Sequence, residues 1–181
     1  MEENLKTNLY QEILDKAVDK NIPLSMQFEL TAGCNLTCLH CYSSPAKTGK
    51  ELSLDEAKYI LDQLSEEGIL FLTFTGGEIL CRHDFFDIAD YARKKSFALR
   101  LYTNATLITQ GIADKIRDIQ PLTVEISLYA INPEIHDRIT GAAGSYERTM
   151  NAFHMLQKMG INLVIKSIIM KENADECGKL R

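Results

Sequence analysis

Tryptophan is absent from this sequence, proline occurs 4 times in 181 residues, and no apolar run reaches the ~18 residues a membrane-spanning helix needs. Met1 to Tyr10 mixes acids, amides and a lysine, so the apolar core of a secretory signal is missing too. There is no basic excess: Lys+Arg number 20 against Asp+Glu 25, a formal net charge of -5, which argues against a nucleic-acid partner. Neither an internal repeat nor a low-complexity stretch interrupts the chain. What remains is 45% hydrophobic and 25% charged, an ordinary globular balance. The length suits one domain with a sizeable core, but it is short for an eight-unit β/α barrel of ~250 residues.

Cysteine is the informative residue, with 5 in the chain. Cys34, Cys38 and Cys41 cluster, whereas Cys81 and Cys177 stand alone. An odd count, no signal sequence and one tight group point to metal ligation in a reducing, cytoplasmic setting rather than to disulfides.

Hydrophobic periodicity alternates between helix and strand. A first helix is expected over Asn4 to Lys20, with Leu5, Leu9, Ile13 and Ala17 on one face, and Pro23 marks its end. Met26 to Thr31 alternates as a strand, and Gly33 to Lys50 reads as a loop holding the cysteines. Ser53 with Glu56 forms a capping box, so a helix follows to about Glu67. Strands are expected at Leu70 to Thr75, Phe97 to Thr103, Leu122 to Leu128 and Ile161 to Ile169. Helices are expected at Asp84 to Lys95, Thr109 to Ile119 and from Ser145 to about Met159, with the start of another at Asn173 to Arg181. Five strands alternating with helices imply an α/β fold of parallel βαβ units with right-handed crossovers. The expected organisation is an N-terminal helical segment, 1–22, and a core domain, 23–181, in which nothing covers the outer edge of the fifth strand.

The cysteine run is Cys34-Asn35-Leu36-Thr37-Cys38-Leu39-His40-Cys41. Its thiolates can reach one metal centre and leave one position open. For zinc, His40 would have to supply the last ligand, but its neighbour Cys41 already occupies that reach. For a [4Fe–4S] cube, three thiolates leave one iron free for a ligand. A structural zinc knuckle or plain buried thiols are the bland alternatives. The loop after the first parallel strand is where α/β folds keep their sites, which favours the cube. Cys81, in the loop after the second strand, is read as a buried small side chain ahead of an extra ligand or a reactive thiol. Cys177 is unassigned.

The spacing of Cys34, Cys38 and Cys41 resembles the CxxxCxxC signature of radical S-adenosylmethionine enzymes, with His40 where an aromatic residue is frequent. Thr75-Gly76-Gly77-Glu78 is similar to the family's GGE motif, which binds the methionyl amino group. Glycines let backbone carbonyls approach a ligand, and a carboxylate can pair with an ammonium. Tyr102-Thr103-Asn104-Ala105-Thr106 resembles the ending of strand three, with Ala105 in place of a glycine, and implies Asn104 near the adenosine. Ser127-Leu128-Tyr129, His136-Asp137-Arg138 and Gly144-Ser145-Tyr146-Glu147-Arg148 resemble the SLDG…HD…GSFER stretch of the SPASM/twitch peptide-maturase branch. That likeness carries Ser127 and Arg148 over as cofactor contacts, with Arg138 a rival to Arg148. Ile79 departs from the usual proline, and Tyr129 stands where aspartate is frequent.

The resemblance implies a partial (β/α) radical SAM barrel of about five parallel strands with outer helices. It implies a [4Fe–4S] cluster on Cys34, Cys38 and Cys41, and S-adenosylmethionine held by Gly76, Gly77, Glu78, Asn104, Ser127 and Arg148. The implied reaction is reductive cleavage of S-adenosylmethionine to a 5′-deoxyadenosyl radical for hydrogen abstraction, with a peptide substrate and a flavodoxin- or ferredoxin-type reductant. No general acid or base is named. The family core usually has a sixth strand, so a truncated core is expected, with a homodimer or strand exchange through the fifth strand's edge. Two alternatives stay open: an incomplete core that binds cluster or S-adenosylmethionine without turnover, and a zinc-binding interaction module. Strand alternation agrees with a ligand-lined lumen, because Gln27, Glu29 and Thr31 share one face, as do Arg100, Tyr102 and Asn104, and Glu125, Ser127 and Tyr129.

Overall fold

Short alternating segments form strands wherever one face can be buried and the other can meet a polar cavity. The computed structural model describes residues 2–42 and 51–179. Its strands are β1 (Ser25–Glu29), β2 (Phe71–Thr75), β3 (Ala98–Thr103), β4 (Thr123–Ser127) and β5 (Leu163–Lys166). They form one all-parallel sheet in the order β1-β2-β3-β4-β5. Each crossover therefore moves one strand over in the same direction. That is the winding of a β/α barrel, not of a doubly wound sheet, whose strand order reverses. β1 and β5 each have one strand neighbour among the described residues.

The helices are α1 (Glu2–Asp19), α2 (Leu54–Glu66), α3 (Phe85–Lys94), α4 (Gln110–Ile119), α5 (Pro133–Thr140) and α6 (Ser145–Lys158). α2 starts at the Ser53–Glu56 capping box, and the Thr109 hydroxyl caps α4 by accepting from Ile112 N. The core lies between the sheet and α2, α3, α4 and α6. Leu72, Phe74, Leu99, Leu101, Val124 and Ile126 face it from the strands, and Leu61, Ile88, Ile116 and Leu156 from the helices, all essentially inaccessible. The opposite faces of the strands carry Gln27, Thr75, Tyr102, Glu125 and Ser127. The buried Glu125 carboxylate is held there by Lys166 Nζ at 2.8 Å and by the Thr123 hydroxyl at 3.1 Å. A polar lumen face thus backs an apolar outer face, as the alternation implied.

Element boundaries agree with the sequence expectation within a residue or two, with three exceptions. β5 is shorter than Ile161 to Ile169, because the Asn173 side chain intervenes: its Nδ2 donates to Tyr129 O at 2.8 Å and to Ile168 O at 2.9 Å, where a strand ladder would otherwise run. The helix expected from Asn173 is instead a set of turns ending in a 3-10 turn at Cys177–Lys179; residues 180–181 lie outside the described ones. α5 was not expected at all. Of the cysteine loop, residues 43–50 also lie outside the described ones, as do the side chains of Leu5, Leu9 and Cys177.

Candidate functional site

The loops that leave the C-terminal ends of the strands enclose a cavity of about 630 Å³. Cys34, Cys38 and Cys41 line it from the loop after β1, Gly76 and Gly77 from the loop after β2, Asn104 from the loop after β3, and Ser127 and Tyr129 from the end of β4. Gln27 and Tyr102 reach it from the lumen, and the exposed Tyr42 stands at its rim, so it opens to solvent.

The loops after β1 and β2 dock backbone to backbone. Gly77 N donates to Thr31 O and Glu78 N to Gly33 O, each at 2.8 Å. A Cβ on Gly76 would overlap Thr31 O, and one on Gly77 would overlap Gly33 O; Gly76 also has φ +143. Both positions therefore require glycine for close approach, and Gly76 for its backbone conformation as well. Glu78 is buried, and its carboxylate is already used within the protein. Oε1 accepts from Thr103 Oγ1 at 2.7 Å and from Leu80 N at 3.2 Å, while Oε2 accepts from Asn104 N at 2.7 Å. Burial pushes this carboxyl above its usual range, opposed by those hydrogen bonds. Glu78 does not line the cavity; it ties the loop after β2 to the loop after β3. The Gly76–Gly77 backbone is the part of the motif that lines the cavity.

Cys34 and Cys41 are exposed and Cys38 is half-buried. Cys34 Sγ accepts from Leu36 N at 3.5 Å and lies 3.9 Å from Asn104 Nδ2. Burial pushes the Cys38 thiol up to about 11, and neighbouring charge on Cys34 and Cys41 adds to it. Burial first, and then neighbouring charge, favours the protonated Cys34 and Cys38 thiols unless a cation draws them into the anionic form, and together with Cys41 they make a donor set that fits a metal centre. Among the described residues, no three His, Cys, Asp or Glu side chains converge on a point that one ion could occupy. His40 also lines the cavity; its Nε2 lies 3.1 Å from Tyr129 Oη, and its buried Nδ1 has no partner among the described residues.

Asn104 is anchored by accepting from Thr106 N at 2.9 Å, and its Nδ2 donates to Asn35 Oδ1 at 3.0 Å, joining the loop after β3 to the cysteine run. Ser127 lines the cavity beside Tyr129. Arg148 and Arg138 are exposed and do not line it; Arg148 Nη1 reaches Ala143 O at 3.3 Å. Cys81 is exposed, not the buried small side chain expected, because the turn at Ile79–Cys81 sends Ile79 into the core and Cys81 outward.

Two groups escaped the sequence reading. Arg82 is buried, with Nε 2.6 Å from Asp84 Oδ1, Nη1 on Leu30 O at 2.9 Å and Nη2 on Leu52 O at 2.7 Å, so it fastens the loop after β2 to the residues that flank the cysteine loop on both sides. α5 is the other, and signals for it were present. Asn132 caps it by accepting from Glu134 N and Ile135 N, Pro133 occupies its first turn, and Gly141 ends it at φ +69.

Comparison with known proteins agrees with this arrangement. Over 161 residues the chain is 37% identical to an AdoMet-dependent heme synthase of Methanosarcina barkeri, covering 88% of this chain and 46% of that protein. Over 156 residues it is 33% identical to mycofactocin maturase MftC of Mycolicibacterium smegmatis, covering 85% of this chain and 40% of that one. The chain thus spans less than half the length of these curated relatives. SuiB of Streptococcus suis, solved with S-adenosylmethionine, shares the fold at TM-score 0.79 and 18% identity over 94% of this chain and 40% of its own; the same protein has been solved with its precursor peptide SuiA. The sequence profile of the radical SAM superfamily matches residues 28–180. That match runs from β1 to the last described turn, so the chain belongs to the radical SAM superfamily, whose members work with a [4Fe–4S] cluster and S-adenosylmethionine.

Proposed function

We propose that this chain forms the cofactor-binding core of a radical SAM enzyme that modifies a peptide. The observation that carries the reading is the shared cavity: the cysteine triplet, the Gly76–Gly77 backbone, Asn104 and Ser127 come from four separate loops or strand ends and line one space. Cys34, Cys38 and Cys41 would hold the cluster. Bound there, a [4Fe–4S] cluster with S-adenosylmethionine supplies one-electron cleavage to a 5′-deoxyadenosyl radical, the chemistry of hydrogen abstraction. The protein's part is to bind, orient and shield. The Gly76 and Gly77 carbonyls can approach an amino group, Asn104 and Ser127 present polar atoms to a ribose or carboxylate, and Leu36, Tyr129 and Ile168 line the cavity with apolar surface. Arg148 enters this set by resemblance alone and, exposed as it is, would have to swing inward to touch a cofactor.

A peptide substrate is supported by MftC and by the SuiB–SuiA pairing. The similarly related heme synthase shows that the same core serves another substrate class. The rim at Tyr42 is the side from which a substrate group would enter. A flavodoxin- or ferredoxin-type protein is the proposed electron donor, and the cytoplasm the proposed setting. Among the described residues no helix is long and apolar enough to cross a membrane.

The test is anaerobic reconstitution followed by iron and sulfide analysis, then assay of 5′-deoxyadenosine with a strong reductant. The expected result is about four irons per chain, lost on substitution of any one of the cysteines, and reductant-dependent 5′-deoxyadenosine. Zinc in place of iron would refute the cluster assignment. Loaded protein that yields no 5′-deoxyadenosine would favour the incomplete-core alternative.

A further inference from the structure

The cysteine loop is held from two sides, by the loop after β3 and by the end of α5. On the side of β3, Asn35 Nδ2 donates to Thr106 Oγ1 at 2.8 Å. On the other side, Thr37 N donates to Thr140 O at 3.1 Å and Leu39 N to Ile139 O at 2.8 Å. These acceptors are carbonyls of the last turn of α5, which have no partner within their own helix. The residues on either side of Cys38 are thus hydrogen-bonded to a helix end. Gly141 closes that helix with no room to spare: a Cβ there would overlap Thr37 Oγ1 and lie 2.8 Å from Thr37 O.

α5 is itself locked to α6. Asp137 Oδ2 accepts from Gly144 N at 2.5 Å, and its Oδ1 accepts from Ser145 Oγ and from Tyr146 N, each at 2.8 Å. An α5 side chain therefore caps the start of α6, whose own cap residue, Gly144, has no side chain to do so. α6 in turn holds the far side of the site, because Thr149 Oγ1 donates to Asn104 O at 2.9 Å. A continuous path of contacts runs from Asn104 through α6 and Asp137 to the backbone around Cys38.

We propose that the α5–α6 corner, through Asp137 and Gly141, is a brace that fixes the cysteine loop in its ligating conformation. Asp137 and Gly141 are positioning residues; neither touches the thiols. The inference builds on the reading of Cys34, Cys38 and Cys41 as cluster ligands.

Hydrogen exchange followed by mass spectrometry on the full, cluster-free chain tests it. Gly160 supplies the control, since its φ of +73 matches the +69 of Gly141 while nothing lies within 4 Å of its would-be Cβ. Gly141→Ala is expected to speed exchange across the segment around Cys38 by about tenfold over both wild type and Gly160→Ala, through loss of the two cross-bonds. Adding Thr37→Ala to Gly141→Ala removes the nearer overlap and should return part of the protection. After anaerobic reconstitution, Gly141→Ala should keep less iron through desalting than Gly160→Ala. Should Gly141→Ala fail to give native far-UV circular dichroism, Asp137→Asn decides, because it loses only the acceptor for Gly144 N and should still speed exchange in the same segment. Exchange equal to that of Gly160→Ala, or in the fallback equal to wild type, overturns the brace. Wild-type protein that takes up no iron overturns the cluster reading instead and leaves the exchange result standing.

Discussion

Removing the Arg82 guanidinium should cost about 3–5 kcal/mol of folding stability, the loss typical of a buried pair deprived of one member. The structure sets that size. The Arg82 and Asp84 side chains are 3% and 10% exposed, so neither water nor salt can replace the contact. The guanidinium makes a two-pronged contact with the Asp84 carboxylate and donates to the carbonyls of Leu30 and Leu52. Arg82→Met keeps the aliphatic stem and leaves a carboxylate and two carbonyls without these donors. Arg82→Lys preserves the charge but not the planar fork, so it should lose roughly 1.5–3 kcal/mol. Urea unfolding at neutral pH, with m-values compared, measures both. Arg82 also holds the Asp84 carboxyl below its usual value of 3.8. A depressed folded pKa contributes stability that is full above the unfolded value and lost as pH falls through the folded one. The gap between wild type and Arg82→Met should therefore be constant at neutral pH and shrink below about pH 4. A cost under about 1 kcal/mol, the range of exposed ion pairs, would refute the claim that this pair fastens the two loops.

Two other outcomes follow from the same geometry. Burial holds His136 neutral, with its pKa lowered to about 4, while its Nδ1 accepts from Tyr129 N at 3.2 Å. The unfolded chain binds that proton more readily, so stability should fall as pH drops from about 6.5 to about 4, by up to about 3 kcal/mol. His136→Gln should flatten this limb, and imidazole nitrogen shifts showing a protonated His136 at pH 6 would contradict it. The outer edges of β1 and β5, which have no strand partner among the described residues, should make this chain self-associate at high concentration, and a monomer by light scattering at all concentrations would count against that.

The sequence by itself determined the strand–helix alternation, the polar lumen face and the cysteine triplet, because each is written locally. Period-two strands, the Ser53 capping box and a three-residue spacing between Cys34 and Cys38 need no partner to be recognised. Glu78 was located by the same local pattern, yet its partners, Thr103 and Asn104, lie one βα unit away, so only the folded chain shows its carboxylate committed to the protein. Arg82 carried no sequence signal of its role, because besides Asp84 its acceptors are the main-chain carbonyls of Leu30 and Leu52, which lie far from it in the chain. α5 had readable caps at Asn132, Pro133 and Gly141, but its short length and mixed polarity gave no clear periodicity. Its role depends on where its last turn ends, against Thr37 and Leu39, about a hundred residues earlier in the chain. Ligand identity is local chemistry, whereas ligand placement is a matter of which loops the parallel winding brings to the same end of the sheet. Tertiary structure alone decided the second.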